Sequence, residues 1–417
     1  MKSCYLLLFI SFFATSDLVL EITKSAEKQI KLGLIESSFP SKVGGEITEI
    51  IKNDLLRTGE FNIVAGSQML SIPKNAEEVI HRDWLLLDVD AIVFFKTNNL
   101  QGSIDISYSI YDIRGKKTTL KKIIFGLPDS IRQSSHYVSD GIYKHFYGIE
   151  GVSSTKLMYV AKNYDVHRLI VSDADGFNEQ TLLKSSKSII SPAWAPDAKD
   201  VAYVSFENNR AQVFTQNLES GKRELILTSN HTVSSPAWSP NKEFISFTST
   251  MDGNSEIYLI NVKTKQIERL TNNAAIDTEP AWSIDGKNII FTSDRSGSPQ
   301  IYELSLKSML KRRITTEGAY NARGSYISKD KIMFIHRSGE NFNIASMNLR
   351  SRELQILTNT KFDESPCIAP NGNVIIYATK EKGLSLLAGV NISSKVGFKL
   401  PALYGELKEP AWSPFLR

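Results

Sequence analysis

The residues whose types and spacing suggest shared chemistry stand just ahead of a repeated phrase, Pro-Ala-Trp or its worn equivalents. They are Asp277, Thr278 and Glu279; Asn321 and Arg323; Asp363 and Glu364; Lys408 and Glu409; with Ser191 and Ser235 at the matching place upstream. If the strands that follow are the innermost strands of a closed ring, these side chains share the mouth of a central channel. Carboxylates there outnumber cations, and a low-dielectric funnel lined mainly by one sign concentrates its field, favouring a basic segment or a cation. The plainer alternative is a set of solvated loop residues that only keep the chain soluble.

Other chemistry is sparse. There is no Gly-x-Ser-x-Gly elbow, phosphate-binding glycine loop or His-Glu-x-x-His pair, and the six histidines are scattered. Asp173-Ala174-Asp175-Gly176-Phe177-Asn178 opens like a calcium loop, but Lys184 stands where the bidentate Glu is required. It reads better as a hairpin turn. A catalytic carboxylate pair would have to come from Asp277, Glu279, Asp363 and Glu364, which keeps a propeller enzyme or a lectin binding a small ligand or metal as the rival reading. No cofactor or metal is expected.

Composition narrows the field further. The 417 residues carry a net charge of +4, too small and too scattered for a nucleic-acid footprint. With 41% hydrophobic and 23% charged residues the chain has ordinary globular make-up. Its cysteines are Cys4 and Cys367. Met1-Lys2, the apolar run from Tyr5 to Ala14 and the small residues Ala14-Thr15-Ser16 predict a cleaved signal peptide over 1–16. The apolar run is too short to span about 30 Å of hydrocarbon. Export leaves Cys367 as a lone thiol, expected to pack as a small hydrophobe.

The elements that position the channel residues are legible from a repeat. Trp194, Trp238 and Trp282 fall 44 residues apart, each in Pro-Ala-Trp; Tyr326, Ile368 and Trp412 continue the series. Each copy runs from that strand through a Pro/Asn/Asp/Gly turn to an alternating strand such as Ile289–Thr292, and then to two more. Four short strands in 44 residues mark a β-propeller blade. Leu157–Val160 reads as a second strand lacking a first, whereas Pro410-Ala411-Trp412 is a first strand lacking a blade. Pairing these ends closes a six-bladed all-β propeller over 151–417 and removes its open edges. The tryptophans are expected to fill the wedges between blades.

Residues 17–150 read as a small α/β domain. Strands are predicted at Lys31–Ile35, Phe61–Val64 and Ala91–Phe95, with a hairpin of Ile104–Ile113 and Thr118–Phe125 around Arg114-Gly115. Helical spacing of Ile47, Ile50, Ile51 and Leu55 predicts a helix from Gly45 to Arg57, and Asp129 is placed to cap a last helix ending near Phe146.

The α/β domain in front, the six repeats, Asp277-Thr278-Glu279-Pro280-Ala281-Trp282, Phe291-Thr292-Ser293-Asp294, Asp363-Glu364-Ser365-Pro366 and the ending Pro410-Ala411-Trp412-Ser413-Pro414 together resemble the TolB family. Its members are periplasmic components of the Tol-Pal system of Gram-negative bacteria. The resemblance implies a non-enzymatic, monomeric scaffold serving envelope integrity and outer-membrane constriction during cell division. Its propeller funnel would bind the lipoprotein Pal, with His231 and Thr278 among the contacts. Its N-terminal strand, Leu18-Val19-Leu20-Glu21-Ile22-Thr23, would engage the inner-membrane protein TolA. An alternating segment of this kind can add to a partner's sheet edge. Read without the resemblance, it is a permanently docked first strand or a frayed tail. The sequence departs from the family pattern in lacking Trp in two blades, in the spacing from His231 to its proline, and in lacking a glycine soon after Ile22.

Overall fold

The computed structural model describes residues 20–21, 29–37, 42–100, 103–126, 130–381, 383–400 and 405–416. The signal segment, Asp129 and, of the N-terminal strand, Leu18, Val19, Ile22 and Thr23 lie outside the described residues.

The N-terminal domain is a five-stranded sheet in the order Phe61–Ile63, Ile30–Glu36, Ala91–Leu100, Ser103–Asp112, Lys117–Ile124. Its first three strands are parallel and its last two antiparallel. Helix Lys42–Arg57 turns Ile47, Ile51 and Leu55 inward at helical spacing, and helix Ile131–Tyr147 adds Val138, Ile142 and Tyr143. Together they cover Leu32, Val93, Ile106 and Ile110 on one sheet face. The second helix ends where Gly148, at φ 74°, takes the left-handed conformation and donates its N–H to Lys144 O. On the opposite face Trp84 lies over Gly33, where an added Cβ would meet the indole at 2.7 Å.

The remaining chain forms six four-stranded antiparallel sheets arranged as a propeller. The innermost strands are Glu406–Trp412, Ile189–Trp194, Val233–Trp238, Asp277–Trp282, Asn321–Ser328 and Glu364–Ile368, blades one to six. The ring closes as the repeat predicts, because Glu406–Trp412 pairs with Lys156–Asn163 and sets Trp412 opposite Leu157. The tryptophans also bind blade to blade: Trp194 Nε1 donates to Ala411 O and Trp282 Nε1 to Ala237 O, both at 3.1 Å. Leu20–Glu21 adds a fifth strand to blade six, with Leu20 opposite Phe398 and Glu21 opposite Gly397.

Inner strands run away from the channel mouth, so the turns at their far ends lie on the opposite face. Those of blades one and six hold the α/β domain. Asn373 Nδ2 donates to Tyr143 Oη at 3.0 Å and Ser394 Oγ to Thr58 O at 2.7 Å. Gly59, at φ 69°, leaves room for Val396. Charge dominates the blade-one side, where the predicted turn Asp173–Asn178 is found. His136, fully buried, places Nδ1 at 2.7 Å from Asp54 Oδ2, while its Nε2 faces Asp173 and Asp175 at 3.9 Å each. Arg132 contacts both of these aspartates, and Lys156 Nζ lies 2.5 Å from Asp173. Asp54, His136 and Asp175 have metal-ligand spacing. The Arg132 guanidinium on Asp175 already supplies the balancing cation there.

Candidate functional site

Each inner strand carries a bulge midway along its length. Register breaks between Ile190 and Ala193, Ser234 and Ala237, Thr278 and Ala281, Ala322 and Ser325, Glu364 and Cys367, and Lys408 and Ala411. The first bulge residue is left-handed in every blade: Ser191, Ser235, Glu279, Arg323, Ser365 and Glu409 have φ between 51° and 57°. A non-glycine residue pays roughly 1–2 kcal/mol for that conformation, so six at one level mean the ring geometry holds them there. Proline follows in five blades, where a missing N–H costs nothing at a bulge, and Gly324 in the other.

The six bulge residues line a central cavity of about 340 Å³. Glu279 and Arg323 clasp across two blades: Arg323 Nε and its main-chain N–H donate to the Glu279 carboxylate at 2.8 and 2.9 Å. Thr292 Oγ1 donates to the same carboxylate at 2.8 Å, and Arg323 reaches on to Ser365 Oγ. Across the ring, Glu409 accepts from the Ser191 N–H. Burial works against the Arg323 charge, but the carboxylates of Glu279, Glu409 and Glu364 more than offset it and raise its pKa.

Three of the expected channel residues lie elsewhere. Asp277 and Asn321 begin their strands and Asp363 directly precedes its own, each with its side chain packed into the blades, and all three are buried. Arg295 Nη2 lies 2.5 Å from Asp277 Oδ2. Asn321 is held between Gln300, Glu317 O and His336. Asp363 takes hydrogen bonds from Thr358, Thr360 and Thr379, and burial pushes its pKa up. Polar side chains at the start of an inner strand thus anchor neighbouring loops rather than facing a ligand.

Ser191, Ser235, Glu279, Arg323 and Glu409 do come together on the cavity wall. Thr278 and Lys408 are half-buried one position nearer the mouth, Glu364 is exposed there, and His231 is exposed on the loop before Val233. Lys408 pairs with Glu406 at 3.0 Å. With Asp277 and Glu279 matched by arginines and Asp363 sealed among hydroxyls, the negative character of the mouth rests on Glu364 and Glu409. The sequence reading missed Ser365, which lines the cavity, and the supporting Thr292 and Arg295. Ser365 shares the pre-proline position of Ser191 and Ser235, and that spacing could have found it. Cys367 also lines the cavity, and burial pushes its thiol up to about 12, which disfavours the thiolate form.

Residues 143–416 match the family model described as the TolB beta propeller domain, and residues 18–119 the TolB amino-terminal domain. The Tol-Pal system protein TolB of Pseudomonas aeruginosa is 46% identical over 407 residues, covering 95% of this chain and 94% of that protein. Its counterpart from Hahella chejuensis is 47% identical over 427 residues, covering 99% and 98%. The crystal structure of TolB from Acinetobacter baumannii superposes with a TM-score of 0.87 at 35% identity, covering 96% of this chain and 100% of that one.

Proposed function

The chain belongs to the TolB family, the non-enzymatic propeller proteins of the Tol-Pal system, and on that premise we propose that it is a periplasmic scaffold with two docking surfaces. The channel mouth receives the peptidoglycan-associated lipoprotein Pal. Its contacts come from Thr278, Glu279, Arg323, Glu364, Lys408 and Glu409, with His231 on the rim and Ser191 and Ser235 on the wall. The segment Leu18–Thr23 engages the inner-membrane protein TolA by adding to a sheet edge.

The observation that carries this reading is the pairing of Leu20 and Glu21 with the outer strand of blade six. A strand added at the outer edge of a sheet is joined on one side only and can open without unfolding the blade. Release frees the strand for TolA, while docking withdraws it. Blade six also supplies Glu364 and Ser365 at the mouth, so one sheet touches both surfaces. Occupation of the mouth and docking of the strand are then linked, and each partner changes the other's affinity by the same factor. In the cell this ties the outer membrane to an inner-membrane motor, maintaining envelope integrity and drawing the outer membrane inward at division.

The test is to titrate residues 17–417 with the periplasmic domain of TolA from the same organism, with and without saturating soluble Pal domain. The reading expects the TolA affinity to change by several-fold, and the Pal affinity to change by the same factor when TolA is saturating. Equal affinities in both titrations would refute the linkage.

A further inference from the structure

The α/β domain carries another concave surface, on the sheet face away from its two long helices. Val64, Val79, Trp84 and Val89 cover only part of that face, packing on Ile92, Phe94 and Tyr111. Toward Lys96, Lys121 and Ile123 the same face becomes exposed. Phe94, Ser109 and Lys121 stand in one cross-strand row, and Lys96, Ser107 and Ile123 in the next. With Phe125 and residues 74–77 they enclose a groove of about 960 Å³.

Its lining is one-sided in charge. Lys74, Lys96, Lys121 and Lys122 face the single acid Glu77. Lys96, Lys121 and Lys122 are exposed and pair with no carboxylate among the described residues. Beside them Ile123 and Phe125 are 55% and 77% exposed, an apolar step amid the cations. Among the described residues, strand Lys117–Ile124 is also the outer strand of its sheet, with no strand paired on its far side. Lysines on an edge strand guard against unwanted pairing. That role accounts for Lys121 and Lys122, but not for Lys96, which lies off the edge, nor for the exposure of Ile123 and Phe125.

We propose that this groove docks an extended acidic peptide segment of a protein partner, paired as a further strand on the outer edge of Lys117–Ile124. Alternate side chains of the peptide turn into the groove, setting carboxylates against Lys96 and Lys121 and an aliphatic group between Ile123 and Phe125. The intervening side chains pass Lys122 on the other face. Strand addition supplies affinity through the backbone, while the cations select the sign of the ligand's charge. This surface is separate from the channel mouth and from the strand on blade six.

The experiment is fluorescence anisotropy of residues 17–417 with a labelled eight-residue peptide alternating glutamate and valine. A lysine–valine peptide and heparin serve as comparisons. The expected result is saturable binding of the acidic peptide, absent for the basic one, and weakened at least tenfold by Lys96→Glu with Lys121→Glu. Ile123→Ser with Phe125→Ser should also weaken it several-fold. These are surface side chains, and an unaltered thermal transition confirms that each variant is folded. Three results would each overturn the proposal: no binding to the folded wild type, binding indifferent to both double variants, or displacement by heparin together with indifference to Ile123 and Phe125. The last would mark simple ion exchange.

Discussion

The Glu279 carboxylate takes two hydrogen bonds from Arg323 in the adjoining blade, 2.8 Å from Nε and 2.9 Å from the main-chain N–H. Both residues sit at the left-handed bulge of their inner strands, so the clasp joins strained positions in neighbouring blades. It uses the negative charge of Glu279 to fix a cation on the channel wall.

Glu279→Gln should therefore loosen the ring as well as alter the mouth. The amide retains one oxygen acceptor and loses the charge opposite Arg323. We expect a loss of about 1–2 kcal/mol in unfolding free energy, the scale of a hydrogen bond to a charged group. Urea denaturation measures it, and a variant as stable as the parent would show that the clasp contributes nothing.

Asp277 and Glu364 should behave in opposite ways. Asp277 is fully buried against Arg295, so Asp277→Asn breaks a buried pair and should destabilise by about 3–5 kcal/mol. Glu364 is exposed at the mouth, so Glu364→Gln should leave stability within about 0.5 kcal/mol while slowing association with a basic partner surface. Unfolding curves together with association rates at two salt concentrations separate the two. Matching stability losses would contradict the placement of these side chains.

The contrast marks what the sequence could reveal. The 44-residue repeat, the orphan strand at Leu157 and the closing Pro410-Ala411-Trp412 made blade number and closure legible, because blade geometry imposes a fixed period. The helices and strands of the α/β domain were legible from Ile47, Ile51 and Leu55 and from alternating runs. The channel was legible only in part. Spacing shows that Asp277, Glu279 and Asp363 each lie just ahead of a repeat proline, Pro280 or Pro366, but not which of them turns inward. That is decided by the bulge, a one-residue change of register with no signature beyond the following proline. The partners that bury Asp277 and Asp363, Arg295 and the threonines 358, 360 and 379, approach from other strands and loops. The docking of Leu20 on Phe398 is likewise a contact between distant ends of the chain.

The interface between the domains should respond to pH through His136. Burial opposes its charge, but Asp54, by charge and hydrogen bond, and Asp175 outweigh burial and Arg132, raising its pKa. Its contribution to stability is thus complete below about 6.5, the unfolded value, and is lost as pH rises through the higher folded value. His136→Ala should cost about 3–5 kcal/mol below that window, because the buried Asp54 keeps only the longer Arg57 contact and loses its 2.7 Å partner. The gap between variant and parent should narrow as pH climbs past the folded value. Unfolding curves from pH 5.5 upward test it, and a gap that widens with pH would reverse the sign argued here.

Removing residues 17–23 should leave the propeller folded and bare the outer strand of blade six. Amide exchange at Gly397–Lys399, the strand that pairs with Leu20 and Glu21, is expected to accelerate, with the inner strands unchanged. Unaltered exchange there would mean that this pairing does not protect the strand in solution.

The central claim, that the channel mouth is the Pal-docking surface, is tested most directly by calorimetric titration of residues 17–417 with the soluble domain of the Pal lipoprotein from the same organism. Glu279→Gln with Glu364→Gln is titrated alongside. The account predicts saturable binding of one partner per chain, weakened about tenfold or more in the double variant, a loss on the order of 1.4 kcal/mol. Undiminished binding by the folded double variant, or no binding by the folded parent chain, would contradict it.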